Sequence, residues 1–232
     1  YEISACLVGS EMCIRDSYST IQRNAERILQ LVNQLMDIRK IDKGQMSLMF
    51  KKTEIVSFTR DLLESFEQQT RVKKLDLKFH TSAPEIEMWI DPKNFDKIIL
   101  NLLSNACKFT PENGQVEISL STGEDTHLPQ NAPLRRYVEL TVADSGIGIA
   151  STEREHIFER FYQIRNSQNN SNIGTGIGLH LTRSLVELHY GNIHVEDNGE
   201  GRPGSRFIIR LPLGNGHLKK EEIEEATTAD TL

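Results

Sequence analysis

The 232-residue sequence predicts an α/β fold: a two-layer sandwich of a mixed sheet packed on helices, preceded by one long helix. Three observations carry this expectation. Tyr18, Ile21, Ala25, Ile28, Val32 and Leu35 recur at alternating helical spacings, an apolar seam with Arg, Glu and Gln outside it. From Ser47 onward, short runs with strand character alternate with amphipathic helical segments. The last two runs read as a hairpin, so antiparallel pairing joins the strand–helix–strand units, which gives helices against a mixed sheet.

Taken in order, residues 1–16 fit nothing downstream. They show no sustained period, and they lack the charge and apolar run of a secretory signal. Leu7–Asp16 reads as the in-frame translation of a sequencing-library adaptor. The alternative is an irregular N-terminal arm. The seam helix is expected from Ser17 to about Ile41, with Gly44 closing the region. Such a helix either pairs in a dimeric bundle or packs on its own domain.

Strands are expected at Ser47–Thr53, Leu75–Thr81, Ile86–Ile90, Val116–Leu120 and Tyr137–Ala143. An amphipathic helix spans about Glu54 to Arg71. Asp91-Pro92 opens another, with Asp as N-cap and Pro at the first position. Ser121–Arg136 is polar, contains two prolines and reads as a surface loop. Gly178–Tyr190 is a helix, and Asn192–Glu196 with Ser205–Leu211 forms the terminal hairpin. After Leu213 the charged, Thr-rich residues read as a linker or disordered tail.

Composition narrows the function classes. A net charge of −6 argues against a general nucleic-acid binder. No apolar run approaches the ~18 residues of a membrane span. Cys6, Cys13 and Cys107 fit neither a disulfide framework nor a zinc site, so a reducing cytoplasm is the expected location.

Four motifs carry chemistry. On the helix after Asp91, Asn101, Asn105 and Lys108 lie at i, i+4 and i+7 and share one face. Two amides and an amine there suit a polyphosphate with Mg²⁺, which takes oxygen ligands and few protein groups. The bland reading is a solvated polar face. Asp144 ends an apolar strand in Asp-Ser-Gly146-Ile-Gly148, where glycines allow close approach of a planar ligand. Read blandly, this is a strand-ending turn. Ile157-Phe158-Glu-Arg-Phe161-Tyr precedes an Asn/Ser-rich stretch, Gln163–Ile173, with Arg165 as its cation; that composition fits a lid or a plain flexible loop. Gly174-Thr175-Gly176-Ile-Gly178-Leu179 opens a helix whose first N–H groups suit phosphate oxygens. By contrast, Gly199-Glu-Gly201-Arg-Pro-Gly204 matches G-x-G-x-x-G but leads into a strand and reads as a hairpin loop.

In this order the four motifs resemble the N, G1, F and G2 boxes of the histidine kinase ATP-binding domain, a branch of the superfamily shared with gyrase and a heat-shock chaperone. The resemblance covers about Ser17 to Leu213. It implies an ATPase-type α/β sandwich over residues 45–213 and, at 17–44, the second helix of a dimerisation hairpin. It implies ATP and Mg²⁺ as ligands. Asn105 would hold the metal, and Lys108 and Asn101 would lie beside the triphosphate. Asp144 would accept from the adenine amine, with Gly146 and Gly148 close to the purine. Phe158 and Phe161 would pack beneath the lid or serve purely as core. Arg165, Gly174, Thr175, Gly176, Gly178 and Leu179 would line the phosphates.

The implied activity is transfer of the ATP γ-phosphoryl group to a histidine, then to a receiver domain. Hydrolysing relatives carry Glu where Asn101 stands, so Asn101 favours a kinase. An anti-sigma-type serine kinase and a nucleotide-binding interaction module are the alternatives. None of the seven histidines lies in a phosphoacceptor box, so autophosphorylation in cis is not expected. The implied partners are a histidine-bearing hairpin, a receiver domain and a second copy of the parent chain. Ser17–Leu48 and Arg210–Leu218 further resemble hybrid two-component regulators of gut Bacteroidetes, which implies a parent anchored in the inner membrane through flanking regions.

Overall fold

The computed structural model describes residues 2–164, 175–199 and 201–224. The chain divides into two compact units between Met46 and Ser47. The first is one helix, α1 (Glu2–Asp42). It begins well before the expected Ser17, because residues 2–16 hold no proline and a lone Gly9 costs a helix only about 1 kcal/mol. Its end is as expected. Gly44 sits at φ 62°, its N–H bonds Ile41 O at 2.8 Å, and Gln45 N–H bonds Lys40 O at 2.8 Å. That pattern is a Schellman cap. The seam residues Tyr18, Ile21, Ile28, Val32 and Leu35 are exposed.

The second unit is a mixed sheet on helices. A five-stranded sheet has the order β2-β4-β5-β7-β6, and a two-stranded one pairs β1 with β3. The strands are β1 (Lys51–Glu54), β2 (Asp76–Thr81), β3 (Glu87–Ile90), β4 (Gln115–Glu124), β5 (Arg136–Asp144), β6 (Asn192–Asp197) and β7 (Ser205–Pro212). The helices are α2 (Ile55–Lys73), α3 (Pro92–Phe109) and α4 (Gly178–Leu188). Among the strands described, β2 and β4 pair in parallel and the other strand pairs are antiparallel. Alternation places Val116, Ile118 and Leu120 of β4 and Val138, Leu140 and Val142 of β5 in the core. Phe95, Ile98, Ile99, Leu102, Leu103 and Ala106 form the buried face of α3. Among the described residues, no helix is long and apolar enough to cross a membrane.

Three expectations shift. The first strand is shorter than Ser47–Thr53, because β3 offers partners only from Lys51↔Ile90 to Glu54↔Glu87. The Ser121–Arg136 segment is mostly ordered hairpin: pairing continues to Glu124↔Arg136, and Pro133–Arg135 forms a 3₁₀ turn. Tyr137 lies over Gly123, where a Cβ would come within 2.5 Å of its ring. The third shift concerns the tail. Residues 214–224 return to the body as a strap. Phe50 N–H bonds Glu222 O at 2.6 Å, and Glu224 N–H bonds Phe50 O at 2.9 Å, making a parallel bridge from Phe50 to Ile223. Tyr190 donates its hydroxyl to the Glu222 carboxylate at 2.9 Å and stands edge-on to His217 at 5.0 Å. Apolar anchors and these partners offset the charge that made the segment read as a linker. The last part of that segment, residues 225–232, lies outside the described residues.

Glu54 caps α2. Its carboxylate accepts from Val56 N–H at 2.9 Å, Ser57 N–H at 2.6 Å and, across the β1–β3 ribbon, Ile86 N–H at 3.0 Å. Burial would push this carboxyl up, but those backbone donors and the Ser57 side chain hold it at about 2, below the ordinary 4.5. The folded state therefore favours the charged form. The stability it brings is whole above pH 4.5 and is lost as pH falls toward about 2. Glu54→Gln is expected to cost about 1 kcal/mol at neutral pH, the scale of a helix cap. Its stability should also fall less steeply in acid. Chemical denaturation of both proteins across this range checks it; parallel pH profiles would remove Glu54 from the role.

Candidate functional site

The site begins with how α3 is held. Asp91 caps it: Oδ1 accepts from Asn94 N–H at 3.2 Å, and Oδ2 accepts from Met49 N–H at 3.1 Å. The Asp91 N–H donates to His189 Nε2 at 3.2 Å, which leaves His189 Nδ1–H to donate to Leu185 O at 2.7 Å. Burial pushes the imidazole below its ordinary value, which matches a neutral ring with one donor and one acceptor. His189 also meets Phe50 and Phe95 edge-on, so it ties the start of α3 to the end of α4. It is a core histidine.

Further along α3, Asn101 Nδ2 donates to Thr182 Oγ1 of α4 at 2.7 Å. Gly178 makes room for this amide, since a Cβ there would sit 2.4 Å from Asn101 Oδ1. Asn101, Asn105 and Lys108 are all half-buried along the helix. The Lys108 ammonium lies 4.9 Å from the Phe109 ring centroid. Thus α3 sets the Asn101 amide beside the start of α4, where Gly178 and Leu179 have N–H groups without intrahelical partners; Asn105 and Lys108 follow it toward the C-terminal end of α3.

Gly176 sits at φ 69°, and a Cβ there would lie 2.6 Å from the Phe161 carbonyl carbon. Its carbonyl accepts from Phe161 N–H at 2.9 Å. Thr175 Oγ1 accepts from Ile177 N–H at 3.4 Å. Phe158 is buried, edge-on to Phe207, with the Arg183 guanidinium 5.4 Å from its ring centroid. Phe161 takes φ 62° and is exposed; the lid beneath which it is expected to pack lies mostly outside the described residues. Arg165 and Gly174, with most of the expected lid, lie outside the described residues.

Asp144 ends β5 and is buried. Its Oδ1 accepts from Gly146 N–H at 2.8 Å and its Oδ2 from the Ser205 hydroxyl at 2.7 Å. Burial pushes the carboxyl above its ordinary 3.8, while Ser205 and Gly146 pull it back. The Asp144 carbonyl accepts from Asn198 Nδ2 at 2.6 Å. Gly146 abuts the end of α3, where a Cβ would lie 2.6 Å from Phe109 O. Gly148, at φ 72°, abuts Gly204 O.

The dismissed G-x-G-x-x-G lookalike is indeed the β6–β7 hairpin turn. Yet this loop supports Asp144: Gly204 presses against its carbonyl, and Asn198 and Ser205 bond it. Sequence reasoning missed all three residues. The available signal was a Ser starting a strand directly after a glycine.

Residues 90–215 match the family model described as the histidine kinase-, DNA gyrase B- and HSP90-like ATPase. The chain belongs to this family. Among its relatives, a histidine kinase P4 of Formosa agariphila is 32% identical over 88% of this chain and 14% of its own length. A sensor histidine kinase, TmoS, of Ectopseudomonas mendocina is 37% identical over 84% of this chain and 19% of its own. The chain therefore spans under a fifth of either relative. The solved, nucleotide-free catalytic domain of histidine kinase ThkA has a TM-score of 0.58 at 25% identity, covering 72% of this chain and 99% of that one.

Proposed function

We propose that this chain is the ATP-binding catalytic portion of a sensor histidine kinase, donating the γ-phosphoryl group to a histidine on a dimerisation hairpin. One observation supports the reading: Asn101 of α3 lies against the glycine-bearing start of α4, joined to it by the Asn101–Thr182 hydrogen bond. Asp144 would accept from the adenine amine, because an ionised carboxylate offers only acceptors. Gly146 and Gly148 leave backbone free of side-chain bulk for the base. Lys108, Thr175, Gly176, Gly178 and Leu179 would meet phosphate oxygens, as an amine and as N–H donors at a helix start.

Magnesium fits the donor set. Asn105 gives a neutral side-chain oxygen on the face that Lys108 shares, and among the described residues no cluster of His, Cys, Asp or Glu competes for a metal. When bound, Mg²⁺ would neutralise charge between phosphate oxygens. Positioning and charge neutralisation carry most of a phosphoryl transfer. A hydrolase is disfavoured, since Asn101 has no carboxylate and its Nδ2 is committed to Thr182.

The exposed seam of α1 supports a homodimeric parent, and a receiver domain is the downstream acceptor. The work would take place in the cytoplasm, where ATP is supplied. Labelled ATP incubated with this chain and a hairpin bearing the phosphoacceptor should give acid-labile phosphate on the hairpin and none on the chain alone. A hairpin that stays unlabelled while ATP binds would reduce the reading to a nucleotide-binding module. Asn105→Ala is expected to abolish the magnesium dependence of ATP binding. Titration with and without chelator decides, and an unchanged magnesium effect would remove Asn105 as ligand.

A further inference from the structure

Helix α2 touches the site from outside. Its last residue, Lys73, is half-buried and donates from Nζ to three carbonyls at the C-terminal end of α3: Cys107 at 2.8 Å, Lys108 at 3.1 Å and Thr110 at 3.4 Å. The link is returned, because Asn113 N–H donates to the Lys73 carbonyl at 3.3 Å. Next to it, Asp76 N–H at the start of β2 donates to Gly114 O at 2.9 Å. The turn after α3 is thus bound to the end of α2 from both sides.

This location has an electrostatic meaning. The last carbonyls of a helix lack intrahelical donors and carry partial negative charge. Asn105 and Lys108 lie in the last turns of α3, so the polyphosphate of the reading above would meet the negative end of a helix. An ammonium on those carbonyls offsets that repulsion. It also fixes the backbone of Lys108 itself, whose carbonyl it bonds.

We propose that Lys73 is a positioning residue for the phosphate half of the site. It neutralises and anchors the end of α3 so that Lys108 and Asn105 face the phosphates. The proposal rests on the nucleotide reading. It separates the two halves of the pocket. Asp144 takes its hydrogen bonds from Gly146, Asn198 and Ser205, none of them on α2.

The test compares ATP with adenosine, which lacks phosphates, on the wild type and on Lys73→Met, Lys73→Gln and Lys73→Arg. Binding is followed by NMR titration below the melting temperature of each protein. Lys73→Met should bind ATP about tenfold more weakly, the scale of a lost charge-assisted interaction, with adenosine affinity unchanged. Lys73→Arg should recover most of the loss. If Lys73→Met does not fold, Lys73→Gln, which keeps a neutral donor, should show the same selective loss. ATP affinity equal to wild type, or equal losses for ATP and adenosine, would overturn the positioning role. The second result would make Lys73 a support of the whole pocket. A wild-type protein that binds adenosine and ATP equally, or neither, overturns the nucleotide reading and this role with it.

Discussion

Gly204→Ala is expected to be among the most damaging single substitutions in the domain, costing about 3 kcal/mol and lowering the melting temperature by roughly 6–12 °C. Two effects add. Gly204 has φ 104°, a conformation closed to side chains with a Cβ. In addition, that Cβ would fall 1.7 Å from the Asp144 carbonyl oxygen, which is backbone and cannot swing away. Gly199 in the same hairpin turn separates the two. It has φ 94° but open space around it, so Gly199→Ala should pay strain alone, about 1–2 kcal/mol. Thermal and chemical denaturation of both variants make the measurement. Equal losses would mean that the hairpin yields and Gly204 does not seat Asp144.

Asp144→Ala is expected to weaken ATP binding by about 1–3 kcal/mol, roughly 5- to 150-fold, and to erase preference for ATP over GTP. Calorimetry with both nucleotides decides, and retained preference would place base recognition elsewhere. The carboxyl also imposes a pH dependence. Burial raises its value above the ordinary 3.8, so ATP binding should fall as pH drops through the raised value and protonation removes an acceptor. Ser205→Ala removes a hydrogen bond that lowers that value, so the fall should move to higher pH. For folding the sign is opposite. Protonation favours the folded, unliganded domain, and this contribution is lost as pH rises through the same value. The charge that ATP would need at Asp144 is thus one that the empty fold disfavours.

The sequence shows some parts of this molecule plainly. The Asp91 cap with Pro92 behind it, the alternation in β4 and β5, and Gly44 each act through near neighbours, so local chemistry reveals them. So does the shared face of Asn101, Asn105 and Lys108, because helical spacing alone defines it. Other features depend on pairings across the chain. Ser205 becomes meaningful only when β7 lies beside β5 and brings it to Asp144. Lys73 looks like one more surface lysine until the end of α3 arrives beside it. The length of β1 is set by β3, and the strap by Phe50 and Tyr190, neither of which is near it in sequence. The contact of the Phe161 backbone with Gly176 likewise joins residues far apart in the chain.

The strap has a mechanical consequence. Phe50 and Ile223 pair in parallel, so the chain arriving before Phe50 and the chain leaving after Ile223 depart from opposite ends of the pair. Tension between residues 47 and 224 would then act along the pair, and both backbone hydrogen bonds of Phe50 would carry it together. Pulled from one end, the same bonds would open in turn, so force spectroscopy should find the first geometry the stronger; equal rupture forces would show that the bridge carries no load. While the bridge holds, the body between Phe50 and Ile223 would be shielded from a pull on these two ends.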